Sequence, residues 1–467
     1  MTPAGPQAAR EAGPRSGAEA GPSAPPAVPP AGSPTVPGSR WGLLARRDFR
    51  LLWAGESISK LGSGVTAVAL PLVAVVSLGA GPLAAGLLSA AVWLPWLVIG
   101  LPAGVWVGRW SRRAVLVRCN LASALLYASV PAAGWLGVLT LTQLLVVALL
   151  AGTAAVFFGA AYQAYLPELV RPEELTEGNA KLQSSASAAQ VAGPGVAGLT
   201  VQAFGAAAGL LVDAVSFLAA AALLLLIRGA PGRRRERAGG PAPGASLGGQ
   251  VREGLAFVRR DPYLRALLRY GAAANFALAG YQAVAVLFLL DEVGADPATI
   301  GRLAAAAAFG GVLGAALARP VGRWFGTARG VRFVLSAATP FGLLLPAAGS
   351  GPGVLLYALG SAVMVAAVVL ANVVFGSFRQ AYAPPALLSR VLATASVANH
   401  ATIPLGALAG GVLGAALGLR ETMWTMTSLL VLCGGVLLAS PIRTVRDLPA
   451  GAAGQGGPAA RRGVGGS

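Results

Sequence analysis

The sequence predicts an all-α membrane protein of twelve transmembrane helices arranged in two pseudo-symmetric six-helix halves. Composition is the first reason: the 467 residues are 55% hydrophobic and only 11% charged, where a soluble domain keeps about a quarter of its residues charged. Span length is the second. A bilayer crossing needs about 20 largely apolar residues, and twelve such runs can be drawn along the chain. The third is a repeat. Arg46-Arg47-Asp48 ahead of the first run returns 213 residues later as Arg259-Arg260-Asp261. Gly108-Arg109-Trp110 after the second run returns 214 residues later as Gly322-Arg323-Trp324. Gln163-Ala164-Tyr165 ending the fourth returns 217 residues later as Gln380-Ala381-Tyr382. Three landmarks in one order at nearly one spacing indicate duplication of a six-span unit.

Taken in order, residues 1–39 are rich in Pro, Ala, Gly and Ser, lack apolar periodicity and are expected to be disordered. They hold no apolar core of the signal-peptide type, so the first span should be an uncleaved anchor. The first half, 40–227, carries spans over 51–78, 82–107, 114–136, 140–165, 180–204 and 206–227. A hydrophilic insertion, 228–260, follows: a flexible linker over 232–241, then a short amphipathic helix at the membrane surface over 249–260. The second half, 261–442, carries spans over 265–290, 297–320, 331–349, 352–378, 388–417 and 421–442, and a disordered tail, 443–467, ends the chain. Every span should be helical, because an isolated strand cannot satisfy its backbone in lipid. Dense Gly and Ala, as in Gly310-Gly311-Val312-Leu313-Gly314, let such helices approach closely.

The net charge of +18 would suit a nucleic-acid partner if it gathered on a soluble face. Instead the arginines sit in short loops between apolar runs, so no nucleic acid is expected and the partner is the bilayer. With both termini cytosolic, the inner loops collect Arg109, Arg112, Arg113, Arg171, Arg228, Arg252, Arg319, Arg323, Arg329, Arg332, Arg379 and Arg390, among others, while the outer loops hold only Arg302 and Arg420. That bias orients the protein as a multi-pass protein of the plasma membrane. Cys119 and Cys433 lie in apolar runs and define neither a disulfide framework nor a metal site. No Walker loop, Ser-His-Asp order or histidine-rich spacing is present, so neither an enzyme, a cofactor nor a metal is expected.

The loop between spans two and three, the twelve-span plan and the central insertion resemble the major facilitator superfamily. Arg47-Asp48-Phe49-Arg50-Leu51-Leu52-Trp53, Asn179-Ala180-Lys181-Leu182-Gln183, Asp213-Ala214-Val215-Ser216-Phe217 and Arg252-Glu253-Gly254-Leu255-Ala256-Phe257 are similar to its drug and siderophore exporter branch, which includes macrolide-efflux proteins and the enterobactin exporter. The resemblance covers about residues 46–445 and implies that spans one, four, seven and ten line a central cavity. Two positions depart from the pattern. An acid that helps latch the halves is usual just before the first loop arginine, where this chain has Gly108; Gly322 is its mate. An arginine is common before the Gln-Ala that ends span four, where this chain has Tyr162.

Charges inside a span are candidates for function. Glu56 and Lys60 stand four apart on span one, in the favourable acid-then-base order, about 10 to 20 Å from its cytosolic start at 1.5 Å per residue. They form either a substrate or proton site or a neutralised pair at the cytosolic mouth. His400, the sole histidine, sits mid-span beside Asn399; it either couples proton entry to gating or makes an interhelical hydrogen bond. Asp213 on span six reads as a structural acceptor. Gln143, Gln163, Asn275, Tyr281, Gln282 and Asn372 are uncharged polar groups on the implied cavity helices, a lining suited to an amphiphilic organic molecule. Gly193-Pro194 with Gly198, and Pro404 in the other half, read as hinges. Gly104, Gly108, Arg109, Arg112 and Arg113, with Gly322 and Arg323, make the gating loops. The function expected is secondary active transport by a monomer: proton-coupled efflux of a small organic molecule, drug, antibiotic or siderophore-like, by alternating access. An importer on the same fold is the alternative, and so is a transport-inactive membrane sensor or assembly partner.

Overall fold

The computed structural model describes residues 42–228, 255–384 and 388–449. Among these, twelve long helices form and no strand does. The first six are α1 (Arg47–Leu72), α2 (Pro82–Val107), α3 (Arg112–Trp135), α4 (Leu141–Leu169), α5 (Leu175–Phe204) and α6 (Ala206–Leu226). The second six are α7 (Pro262–Leu287), α8 (Pro297–Phe325), α9 (Thr327–Ala338), α10 (Val354–Tyr382), α11 (Leu388–Leu417) and α12 (Leu419–Leu438). Ten helical stretches are long and apolar enough to cross a membrane. The two helices that fall short are α5, diluted by Asn179, Lys181, Gln183 and Ser184, and α9, which gives way to a 3₁₀ turn over Thr339–Leu344 at Pro340. The predicted linker over 232–241 and the tail beyond 449 lie outside the described residues, as does 1–39. Of the predicted surface helix, residues 255–260 are helical, with Val258 buried.

Duplication extends to the backbone. The first helix of each half runs on into a π-helical turn, Val73–Ser77 and Phe288–Glu292. Gly79 and Gly294, just beyond these turns, both take positive φ, a conformation that side chains resist. So do Gly205 and Gly418, which join α5 to α6 and α11 to α12. The repeated tripeptides also meet in space. In the second half, Asp261 caps α7 through the amides of Tyr263 and Leu264, both 2.9 Å from Oδ1, and its Oδ2 accepts the Tyr382 hydroxyl at 2.7 Å. In the first half, Asp48 lies within electrostatic reach of Tyr165.

Each half packs its own helices: α1 on α5 and α6, α4 on α2 and α3, and correspondingly α7 on α11 and α12, α10 on α8 and α9. The halves join through α2–α11 and α5–α8. Because α1 starts beside the arginines, α2, α8 and the C-terminal ends of α5 and α11 meet at the far end. A Cβ on Gly86 would stand 2.7 Å from Ala407 O and Gly411 Cα, and one on Gly198 2.8 Å from Pro297 O and 2.9 Å from Gly301 Cα. Gln202 Nε2 adds a hydrogen bond to Asp296 Oδ2 at 3.3 Å. The buried apolar core follows suit. Its largest cluster runs through the second half into Val65, Leu72, Leu88, Leu144 and Val201 of the first, all toward the far end. Leu43, Phe49, Val115, Leu166 and Leu224, at the arginine-rich end of the first half, form a cluster of their own.

Two expectations change. Gly322 and Arg323 do not lie in a loop, because α8 stays helical to Phe325 and turns only at Gly326, φ +86°. Residues 443–449 are not a loose tail. Asp447 Oδ1 accepts the Thr327 amide at 2.7 Å, Arg446 O accepts those of Ala328 and Arg329 at 3.1 Å, and the Leu448 amide donates to Thr327 Oγ1 at 2.9 Å. The C-terminal strap thereby satisfies amides that a helix start leaves orphaned, and Asp447 brings a carboxylate to the loop that Gly322 leaves without one. Asp447→Ala should lower stability by about 1 kcal/mol, the usual effect of losing an N-cap, seen as a lower unfolding midpoint in detergent.

Candidate functional site

Polar side chains exposed on apolar helices cannot face lipid at depth. Lys60 on α1, Gln163 on α4, Gln282 on α7 and Asn372 on α10 are all exposed, which leaves them candidates for lining the central cleft that the resemblance implies. Glu56 stands one turn before Lys60, itself buried, with Lys60 Nζ 3.3 Å from its Oε1. Tyr162, facing it from α4, lies within electrostatic reach of this carboxylate. The Tyr162 hydroxyl is buried without a hydrogen-bond partner, an arrangement few native side chains keep unless something else supplies the bond.

His400 joins the halves at mid-depth. Its ring stacks on Trp96 of α2, centroids 5.4 Å apart and planes at 19°, and sits 5.8 Å from Trp93. Its Nδ1 lies 2.8 Å from Ser396 O and 3.3 Å from Ser396 Oγ. A carbonyl oxygen can only accept, so the contact with Ser396 O is a hydrogen bond in the tautomer that protonates Nδ1. Trp96 also abuts α4, with the Cβ position of Gly159 3.4 Å from its Cη2. One wall therefore runs from His400 through Trp96 to α4, where Tyr162 sits one turn beyond Gly159 and faces Glu56. Asn399 turns the other way: its Oδ1 lies against Gly271 of α7 and is buried unpartnered. Asn275 is half-buried on α7.

Other candidates are placed elsewhere. Gln143 donates to Ser129 O at 3.2 Å, linking α4 to α3 near the far end, so it is not in the cleft. Tyr281 is 5% exposed and lies within electrostatic reach of Tyr357 inside the second half; the helical period that exposes Gln282 buries its neighbour. Asp213 accepts Thr66 Oγ1 at 2.5 Å and Ser216 Oγ at 3.0 Å, closing the α1–α6 contact. Gly193 packs on Gly64 of α1, its Cβ position 2.8 Å from Gly64 Cα, while Pro194 O faces Gly301 of α8. Gly193-Pro194 thus sits where α5 touches both α1 and α8. Pro404 lines an apolar groove of about 310 Å³ with Leu87, Leu94, Leu145 and Leu149.

At the arginine-rich end, Gly108 closes α2 and Arg109 is exposed, while Gly104 has open space at its Cβ position. Arg112 pairs with Glu168 and donates to Ala164 O, and Arg113 donates to Leu224 O at 2.9 Å and Leu225 O at 2.6 Å. Cations at a helix C-terminus complement its dipole, so both arginines fasten the loop to their own half. At the far end, Asp296 caps α8 through the Thr299 amide, and hydrogen bonds from Thr299 hold its carboxyl below the usual range. A lowered pKa means this cap stabilises the fold above the ordinary carboxylate value and fades on acidification through the lowered one.

Sequence reading missed three features. Trp96 was one aromatic among many, and only its contacts distinguish it. Arg379, counted among loop cations, lies within α10, its Nε buried and unpartnered. Arg269 lies on α7 and is exposed. The offsets of the repeat could have found both arginines.

Residues 38–453 match the family described as Transmembrane secretion effector. The chain is 28% identical over 399 residues to the multidrug efflux pump Tap of Mycolicibacterium fortuitum, covering 83% of this chain and 94% of that one. It is 21% identical to macrolide efflux protein A of Streptococcus pyogenes, covering 82% and 93%. Its fold is similar to that of the nucleoside transporter NupG, with a TM-score of 0.69 at 13% identity over 84% of this chain and 98% of that one.

Proposed function

This chain belongs to the transmembrane secretion effector family of major facilitator transporters, and on that premise we propose that it exports small organic molecules by proton-coupled alternating access. It is a multi-pass membrane transporter and not an enzyme. The observation that carries the reading is the asymmetric core. Apolar packing is continuous across the halves at the far end and separate at the arginine-rich end, as a carrier open on one side requires. The arginine bias supports a cytosolic assignment for that open end and for both termini, with cargo entering the cleft from inside. Relatives named for multidrug and macrolide efflux support export over import. The wall of Trp96, Tyr162 and His400 suits an amphiphilic body, and Glu56, with Lys60, supplies an ionisable group at the same depth. His400, bridging α2 and α11, is placed to make their separation depend on protonation.

Reconstituted in liposomes with an imposed pH gradient, the protein should drive uptake of fluorescent amphiphiles into vesicles in which it faces outward by its cytosolic side. His400→Ala should retain downhill exchange but lose the gradient-driven component. Equal gradient dependence in wild type and variant would remove His400 from coupling, and no gradient effect in the wild type would overturn the proton-driven reading.

A further inference from the structure

The two walls of the cleft carry different charge, and the internal repeat makes the difference exact in position. Glu56 lies eight residues after Asp48, and the residue eight after Asp261 is Arg269. Tyr162 precedes Gln163-Ala164-Tyr165, and Arg379 precedes Gln380-Ala381-Tyr382. Where the first half faces a carboxylate with a phenol across α1 and α4, the second half puts a guanidinium at each equivalent place on α7 and α10. Helices α7 and α10 meet near these positions: Tyr270, beside Arg269, contacts Phe375, one turn before Arg379, with ring centroids 5.7 Å apart.

These arginines have no acidic partner among the described residues. At their end of the second half Asp261 is engaged by two amides and the Tyr382 hydroxyl, and Asp447 by the start of α9. Across the cleft Glu56 is neutralised by Lys60. Arg379 is half-buried, and its Nε is buried with no acceptor. Arg269, Arg379 and Lys60 together outweigh Glu56 in charge.

We propose that Arg269 and Arg379 form a binding site for an acidic group, a carboxylate or similar organic anion, on the transported molecule. The planar guanidinium fork matches a carboxylate with two parallel hydrogen bonds, and the cargo's apolar body lies toward Trp96 and Tyr162. This deepens the transport reading and rests on it.

The test is equilibrium binding to the purified full-length chain, using 2-naphthylacetate, its uncharged amide and 2-naphthylethylamine as probes of one aromatic body. The carboxylate should bind about tenfold tighter than the amide, the scale of a charge-assisted hydrogen bond. Arg269→Gln and Arg379→Gln should each erase that preference, while Arg379→Lys should keep part of it. A carboxylate that binds no tighter than the amide, including one that does not measurably bind, overturns the site. So does a preference that survives both glutamine variants. Liposome flux separates this result from the wider reading: movement of amide or amine without a carboxylate preference keeps the transporter and removes the site. A carboxylate preference without flux of any probe does the reverse.

Discussion

Leucine at Gly301 should stop transport and hold the molecule open at its far end. A Cβ at this position already stands 2.7 Å from Gly198 Cα and 2.9 Å from Gly198 N. Those are backbone atoms of α5, so no rotamer change can clear them, and a packed core does not absorb the volume by small shifts. The contact joins the two halves and not the helices of one half, so each half can keep its own packing. What is lost is the state in which α5 and α8 touch. A carrier that cannot visit one of its two states does not cycle, however well it folds. Spin labels on Val138 and Ser350, in far-end loops of opposite halves, should report a longer distance in Gly301→Leu than in the wild type. Flux should fall to background, and Gly301→Ala should be intermediate. The control is Gly434→Leu in α12, where a Cβ meets nothing within 4 Å; it should transport normally. Normal flux with an unchanged label distance in Gly301→Leu would refute the closure assigned to this pair.

The fold was legible because its signals are local or periodic. Apolar runs demand helices in lipid, and Arg-Arg-Asp and Gln-Ala-Tyr recur because each half needs the same junction, seen where Asp261 takes the Tyr382 hydroxyl. Misread places are those decided by tertiary contact. Gly322-Arg323 looks like a loop because a glycine followed by a charge ends an apolar run, but the helix can continue past a charge at the bilayer edge. Residues 443–449 look unstructured because their order comes from the amides of α9, more than a hundred positions away in sequence. The candidate site divides in the same way. Glu56 and Lys60 declare each other by spacing, and a lone histidine in a span stands out. Gln143 and Gln282 cannot be told apart by composition, since only the direction of the side chain puts one against Ser129 and leaves the other exposed. Arg379 was hidden by the charge bias itself: counting it toward orientation gave it a role before its burial could raise another.

Glutamine at Glu56 should abolish gradient-driven transport while leaving the chain folded, and the companion substitution at Lys60 separates the causes. Glutamine preserves shape but cannot release a proton, and it leaves Lys60 without its counter-charge. Lys60→Met does the converse, stranding a buried carboxylate that has the unpartnered Tyr162 hydroxyl within electrostatic reach. Removing the lysine alone leaves Glu56 desolvated and unpaired, whereas removing the carboxylate alone leaves a half-exposed lysine that water can solvate. The double variant Glu56→Gln with Lys60→Met should therefore unfold at a higher temperature than at least one of the singles, a coupling the mutant cycle isolates. Stability and coupling then part company. If Glu56 were only half of a neutralised pair, the double variant would regain gradient-driven flux along with its stability. If the carboxylate carries the proton, the double variant equilibrates substrate down its gradient and gains nothing from an imposed pH difference. The second result is expected, since Lys60 is half-exposed and needs no buried acid to stay solvated, whereas Glu56 is buried and its charge is what the cleft must accommodate at each turn of the cycle.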